Sequence, residues 1–374
     1  MNRRIFLMCG GSVLAAQVPP SGQIVVGLIG AGTRGMQLLQ LLLARPDVRI
    51  GAVCETYEPR MFQAVALARS KGHRTRYYRI YRDLLSDMSL DAVVIATPDF
   101  WHCRMTIEAL EHGKDVYLEQ PLCRTWQEGV ALIAAQSGSR QIVQVGSQRR
   151  SNPEFMEIAT RIHNGQLGTI KRVAARAAAS YLRPGVLSRG RSKLAEPLNF
   201  EDWQDGAETR VAYSPDRFLN WRFYSMYGGG CIADLGAGLL DGVHMVAGTT
   251  YPVSVFARGT KSNRTGFDTA EQAKVEIEYP GGVVALLSID GRATGHIDEA
   301  QIRGDGHQLT LNALLAPDAT AIHMAQFFDC IRTRTVPNAP PQVVFPATLA
   351  CQMANLSIAT GRRHHWRPDI SQVE

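Results

Sequence analysis

The 374-residue sequence predicts an α/β fold, with a doubly wound parallel sheet in the first half and an α+β domain on a largely antiparallel sheet in the second. Three observations carry that reading. An apolar run, Ile24 to Ile29, stops at a glycine-rich turn and passes into a helix-like segment from Met36 to Ala44. Apolar strands then alternate with helical segments as far as Val145. From Thr169 onward the pattern changes to β-type runs joined by turn signals such as Pro280-Gly281-Gly282.

The first turn reads Gly30-Ala-Gly32-Thr33-Arg34-Gly35, a GxGxxG pattern at a strand-to-helix junction. Gly30 permits the tight turn, Gly32 lets a ligand approach the backbone, and Gly35 lets helix and strand pack closely. Free N–H groups at the helix start, with the positive end of its dipole, make a pyrophosphate the expected ligand, as in Rossmann dinucleotide sites. The next strand, Ile50 to Cys54, closes on Glu55. A carboxylate there accepts both ribose hydroxyls of NAD and repels the 2′-phosphate of NADP. Arg60 lies close enough in sequence to keep NADP as the alternative.

Asp91 to Ala96 is an apolar strand suited to a sheet covered on both faces. It ends in Thr97-Pro98-Asp99-Phe-Trp-His102 and leads into a helical segment reaching His112. Asp115 to Leu118 is the next strand, ending in Glu119-Gln120-Pro121-Leu122; a helix from Trp126 to Ser137 and a strand from Gln141 to Val145 follow. Ligands of such sheets lie beyond the carboxyl ends of the strands, so the turns after Ile29, Cys54, Ala96 and Leu118 are expected to share one crevice. The later β-type runs are Ile170 to Ala175, Val253 to Ala257, Ala273 to Tyr279, Val283 to Ile289, Glu299 to Arg303 and Gln308 to Leu311. Between the first two, Leu182 to Tyr227 is polar, aromatic and proline-rich, an expected loop excursion near the site.

With 45% hydrophobic and 20% charged residues the chain can bury a large core, and its length suggests two domains. A formal charge of +6, two units of it from Arg3 and Arg4, is too mild to imply nucleic acid. The seven cysteines form no CxxC pair or repeated spacing, so neither a metal site nor a disulfide framework is expected, and they read as small buried hydrophobes. Arg3-Arg4 before a short apolar run resembles a twin-arginine export signal over residues 1–22, too short for a stop-transfer span. A periplasmic protein is the expectation, a cytoplasmic one if the signal does not function; an Arg3→Lys, Arg4→Lys variant retained in the cytoplasm is the check.

Gly30 to Gly35, Ala96-Thr-Pro-Asp-x-x-His102, His112-Gly-Lys-Asp-Val-Tyr117 and Glu119-x-Pro-Leu122 resemble, in order and spacing, the Gfo/Idh/MocA oxidoreductase family. The likeness continues through Val145 to Pro153, Asn220-Trp221-Arg222, Gly228 to Gly230 with Asp234, and Arg362 to Trp366. It implies a nucleotide-binding domain over 23–147, a substrate and oligomerisation domain over 148–374, and a sugar or cyclitol substrate oxidised by hydride transfer. A homo-oligomer through the C-terminal sheet is also implied. The cofactor residues it points to are Gly30, Gly32, Thr33, Arg34, Gly35, Glu55, Arg60, Thr97, Pro98, His102, Glu119 and Gln120.

The resemblance also implies a lysine within Glu-Lys-Pro as the proton acceptor, assisted by a histidine four residues after an aspartate. Here Gln120 holds the lysine position, and an amide has no useful proton equilibrium. Asp234 matches the aspartate, while Gly238 stands where the histidine belongs. On an ideal helix Asp241 lies about 20° from Asp234, and His244 about 80°, so Asp241 is the better placed substitute. Gln120, Asp234 and Asp241 are therefore the candidate catalytic residues, against the alternative that they are packing groups. Arg149, Arg150, Trp221 and Arg222 are candidates to stack on a sugar or pair with its acid; a salt-bridged scaffold is the alternative. Three functions stay open: an oxidoreductase using a substitute base, a nicotinamide-dependent glycosidase, and a non-catalytic binding protein that keeps the dinucleotide or carbohydrate site.

Overall fold

Runs of β-branched and apolar residues form strands that are buried on both faces only if helices cover both sides, and this arrangement builds the first half of the protein. The computed structural model describes residues 22–180, 198–262, 265–312 and 318–374. Its chain runs β1 (Ile24–Ile29), α1 (Thr33–Leu43), β2 (Val48–Cys54), α2 (Glu58–Ser70), β3 (Arg76–Tyr78), α3 (Tyr81–Leu85), β4 (Ala92–Ile95), α4 (Asp99–Glu111), β5 (Asp115–Leu118), α5 (Trp126–Ser137) and β6 (Val143–Val145). These six strands pair in parallel in the order β3-β2-β1-β4-β5-β6. The order reverses between β1 and β4, which leaves a crevice at their carboxyl ends.

After a 3-10 turn, Gln148–Ser151, come α6 (Pro153–His163), β7 (Arg172–Ser180), α7 (Phe200–Gln204) and α8 (Pro215–Leu219). A π-helical turn, Ile232–Gly236, then leads directly into α9 (Ala237–Ala247). The remainder is β8 (Ser254–Lys261), β9 (Ala270–Glu278), β10 (Val284–Asp290), β11 (Arg292–Arg303), β12 (Gln308–Asn312), α10 (Ala319–Thr333), α11 (Pro341–Thr360), β13 (His364–Arg367) and β14 (Gln372–Val373). The eight strands form one sheet in the order β12-β11-β7-β10-β9-β8-β13-β14. Among the described residues β7 pairs with β10 in parallel, and the other strand pairs of this sheet are antiparallel. Period-two alternation points Val173, Ala175, Ala285, Leu287 and Ile289 inward, where the π-helical turn packs on β7 and β10 and α9 on β7, while α11 covers β8 and β9.

Both expected sheets are present, and several strands run longer than the sequence suggested. β3 and α3, too short to leave a periodic signal, were not anticipated, and the Leu182 to Tyr227 excursion contains α7 and α8. Its stretch 181–197 lies outside the described residues, as does the export-signal segment apart from Gly22. α10 returns to the first sheet, where Met324, Phe327, Phe328 and Ile331 share a core with Leu38, Leu39 and Leu42 of α1. His323 fixes that return, its Nε2 lying 2.8 Å from the Val145 carbonyl oxygen. α11 has the length and hydropathy of a membrane span, but 67% of its apolar window is buried inside the fold. The six cysteines among the described residues are buried, and those residues hold no metal-ligating cluster.

Candidate active site

The glycine turn shows why each glycine stands where it does. Gly30 has φ of +91°, and a Cβ there would lie 2.7 Å from the Ala96 carbonyl oxygen. A Cβ at Gly35 would meet the Gly30 carbonyl oxygen at 2.0 Å, so α1 packs directly on the turn. At Gly32 the nearest such neighbour is Arg60 Nη1 at 3.9 Å, leaving the backbone open toward the crevice. α1 has no side-chain cap and no acidic residue in its first turn, so its leading N–H groups and dipole are free to meet an anion. α5, by contrast, is closed by a Thr125–Glu128 capping box.

Beyond this turn lies a cavity of about 560 Å³ lined by Gly30, Gly32, Thr33, Arg34, Glu55, Arg60, Thr97, Pro98, Asp99, Glu119 and Gln120, and also by Trp203, Phe218, Trp221 and Arg222. Glu55 ends β2 with its carboxylate turned to the glycine turn: Oε2 accepts from Ala31 N at 2.9 Å and Oε1 from Tyr57 N at 3.0 Å. The Arg60 guanidinium stacks over Tyr57 and Phe218, 5.6 and 5.2 Å from their ring centres. Arg34 donates through Nε to Glu119 at 2.9 Å, tying the glycine turn to the end of β5. His102 is buried, with Nδ1 2.6 Å from the Pro121 carbonyl oxygen and Nε2 3.0 Å from that of Thr97. It holds together the two loops flanking the crevice and does not itself line the cavity.

The fit to a dinucleotide rests on this chain's own atoms. Thr97 Oγ1 and Gln120 Nε2 are buried and find no hydrogen-bond partner in the protein, although both residues line the cavity. Such groups cost free energy unless something in the cavity bonds to them. With the open backbone at Gly32 and the carboxylate of Glu55, they suit a phosphate-to-nicotinamide ligand laid across the sheet edge.

The two departures from the expected acid–base pair are in contact. A Cβ at Gly238 would lie 2.8 Å from Gln120 Oε1 and 2.8 Å from Arg149 Nη1. A Cβ at Gly242, one helical turn on, would lie 2.9 Å from Arg149 Cδ. The two glycines of α9 thus form a groove for the Arg149 side chain, whose guanidinium pairs with Asp298. Arg149 stands against the space a histidine at 238 would need.

Asp234 and Asp241 do not share a face, contrary to the ideal-helix expectation. The π-helical turn Ile232–Gly236 adds to the residues per turn, so the 100° spacing fails between them. Asp234 accepts from Arg222 Nε at 2.7 Å. Asp241 is wholly buried, gripped by Arg150 Nε at 2.8 Å and Nη2 at 2.7 Å, and bonded to Ser147 Oγ. Neither aspartate lines the cavity. Arg150 is accordingly a scaffold partner, and Arg149 is ion-paired behind Gln120. Trp221 and Arg222 do face the cavity, the guanidinium 4.1 Å from the indole centre. His244 is bonded to the Tyr279 hydroxyl at 2.6 Å, and burial lowers it to about 3. Asp99 was not singled out from sequence: its position as the first residue of a helix after Thr97-Pro98 was the available signal, but its partners lie more than a hundred residues away.

Residues 24–147 match the model described as an oxidoreductase family with an NAD-binding Rossmann fold, and residues 206–310 match the Gfo/Idh/MocA C-terminal domain. The first sheet and its helices are therefore an NAD-binding Rossmann domain. Among curated proteins the chain is 34% identical over 148 residues to an uncharacterized oxidoreductase, YrbE, of Bacillus subtilis, covering 39% of this chain and 42% of that protein. It is 36% identical over 124 residues to a glycosyl hydrolase family 109 protein of Shewanella sp., covering 32% of this chain and 27% of that protein. The chain thus spans less than half the length of either relative. A solved structure of myo-inositol 2-dehydrogenase from Lactobacillus plantarum shares the fold, with a TM-score of 0.73 and 18% identity, covering 92% of this chain and all of that one.

Proposed function

Because this chain belongs to the Gfo/Idh/MocA oxidoreductase family, we propose that it oxidises a sugar, a cyclitol or a derivative of one by hydride transfer to NAD, with a carboxyl group in place of the family lysine. The observation that carries the reading is the single cavity into which the glycine turn, Glu55, the unpartnered Thr97 and Gln120 atoms, and Trp221 with Arg222 all open. Bound nicotinamide supplies the hydride acceptor. The chain would supply the rest: α1 and Glu55 would hold the phosphates and ribose, Gln120 Nε2 would donate toward the reacting end, and the Trp221 indole would offer an apolar face for a sugar ring. The test is whether the purified protein reduces NAD in the presence of any member of a sugar and cyclitol panel. No substrate-dependent reduction anywhere on the panel, by protein that binds dinucleotide, favours a non-catalytic binding role instead.

Glu55 is expected to select NAD. Its carboxylate accepts from a free ribose diol and opposes a phosphate at the same place. Wild-type protein should bind NADH more tightly than NADPH, and Glu55→Ala should narrow that ratio; a wild type preferring NADPH refutes the assignment.

The likeness to a glycosyl hydrolase family 109 protein keeps a second reading in view, in which oxidation is transient and a glycosidic group is eliminated. Release of nitrophenol from nitrophenyl glycosides without net NADH accumulation is its signature. The outer face of the eight-stranded sheet carries Arg176, Phe256, Arg258, Leu286 and Glu299 with no helix over it among the described residues. A homo-oligomer through this face is part of the same reading, and sedimentation checks it.

A further inference from the structure

We propose that α7 is a strap closing the dinucleotide cavity over its Glu55 end, so that NAD is a resident cofactor whose release waits on α7 lifting away. The inference concerns the cofactor alone and does not depend on which substrate is oxidised.

α7 is fastened on both sides of the crevice. On the β2 side, Leu198 pairs with Tyr57 in an antiparallel bridge, and Asn199 N donates to the Thr56 carbonyl oxygen at 3.3 Å, directly after Glu55. On the α4 side, Trp101 Nε1 donates to the Trp203 carbonyl oxygen at 2.8 Å and Arg104 Nη1 to that of Asp205 at 3.3 Å. Between these fastenings Asp202, Trp203 and Asp205 line the same cavity as Glu55, Thr56 and Thr97. A segment of the second domain therefore crosses the crevice beyond the ends of β2 and β4, where a Rossmann sheet holds its dinucleotide.

The strap holds by tertiary contacts and not by its own helix. Five residues, Phe200–Gln204, are too few for a helix that stands alone in water. Asn199 caps it, with Oδ1 accepting from Asp202 N at 3.1 Å. Phe200 and Trp203, three residues apart on one face, are both buried. The Trp203 ring centre lies 5.5 Å from that of Phe100 in α4 and 5.5 Å from that of Phe218 in α8. Phe218 in turn meets Tyr57, their ring centres 5.8 Å apart, so the aromatic contacts also span the crevice from α4 to the end of β2. A short segment tied down at its two ends can open locally while the sheets beneath it stay folded. A dinucleotide at the glycine turn and Glu55 is kept while α7 is down and leaves when an end fastening breaks.

Release of NADH, followed by its fluorescence after mixing with excess NAD, reads the strap without any substrate. Paired Cα atoms in an antiparallel bridge lie about 4.5–5.5 Å apart, a span a disulfide closes, so Tyr57→Cys with Leu198→Cys locks the β2 end. The six native cysteines among the described residues are buried, so mild oxidation with glutathione disulfide acts on the new pair. Loaded with NADH and then oxidised, this variant should release its cofactor about 10-fold or more slowly than its reduced form, because the cross-link removes the opened state. The reduced form is also the control for the lost Tyr57 ring. At the other end, Trp101→Phe with Arg104→Ala removes both α4 fastenings, and release should quicken by about 10-fold, as the loss of two ordinary hydrogen bonds gives. Equal release from the oxidised and reduced forms, failure of the pair to cross-link, or a wild-type rate in the Trp101→Phe, Arg104→Ala protein each overturns the strap. Failure of the hydride-transfer reading shows separately, as no NADH formation on the sugar and cyclitol panel, and leaves these release rates as they are.

Discussion

Replacing Asp241 with alanine is expected to destabilise the protein by about 3–5 kcal/mol, the cost of leaving one member of a buried ion pair without the other. Asp241 has no exposed surface and holds Arg150 through both carboxylate oxygens, while Ser147 bonds to the same group. Arg150 is itself nearly buried, at 10% side-chain exposure, so it cannot turn to water when its partner is removed. The link joins the turn after β6 to α9, and therefore the nucleotide-binding sheet to the helix carrying Gly238. Against a total stability of about 5–15 kcal/mol, such a loss is large and should shift the urea midpoint visibly. An apolar pair, Arg150→Met with Asp241→Leu, is expected to recover most of it, because no charge is then left buried. If Asp241→Ala unfolds at the wild-type midpoint yet abolishes turnover, Asp241 returns to the list of proton acceptors and its scaffold role is refuted.

That outcome bears on what could be read from sequence. The glycine turn, Glu55, Thr97 and Gln120 were legible because each closes a strand of a parallel sheet, and the sheet topology brings strand ends together whatever else the chain does. Trp221 and Arg222 line the cavity, although the loop carrying them offered no periodic pattern. The relation between Asp234 and Asp241 was not legible, because counting 100° per residue presumes an unbroken α-helix and the π-helical turn breaks it. Arg149 was legible as a charge near the site but not as the neighbour of Gly238. That contact depends on how the turn after β6 packs across α9, a register no local pattern encodes. Asp99 lay within a motif already quoted, and only the approach of Gly228 and Gly229 reveals what its carboxyl meets. The return of α10 to the first sheet escaped notice for the same reason: sequence order says nothing about which core a late helix joins.

Restoring the lysine and histidine is expected to fail unless Arg149 is removed as well. A side chain at 238 begins 2.8 Å from Arg149 Nη1, and that guanidinium is held by Asp298, so Gln120→Lys with Gly238→His gains a base but has no room for its partner. Removing Arg149 alone leaves Asp298 buried and unpaired, which is costly, so the informative variant also carries Asp298→Asn. In the combination Gln120→Lys, Gly238→His, Arg149→Ala, Asp298→Asn, the cavity wall regains an acid–base pair, and the groove between Gly238 and Gly242 no longer holds a competing cation. A positioned acid–base group contributes roughly 10²- to 10⁴-fold, so a gain of about 10²-fold in substrate-dependent NADH formation is expected. The pH optimum should move upward with it, because a lysine gives up its proton at higher pH than a carboxyl group, even when burial and neighbouring charge lower it. Arg149→Ala with Asp298→Asn, without the other two changes, serves as the control and should gain nothing. Turnover by Gln120→Lys with Gly238→His that equals the fourfold variant would show that Arg149 yields its place freely, and the steric account of Gly238 would fall with it.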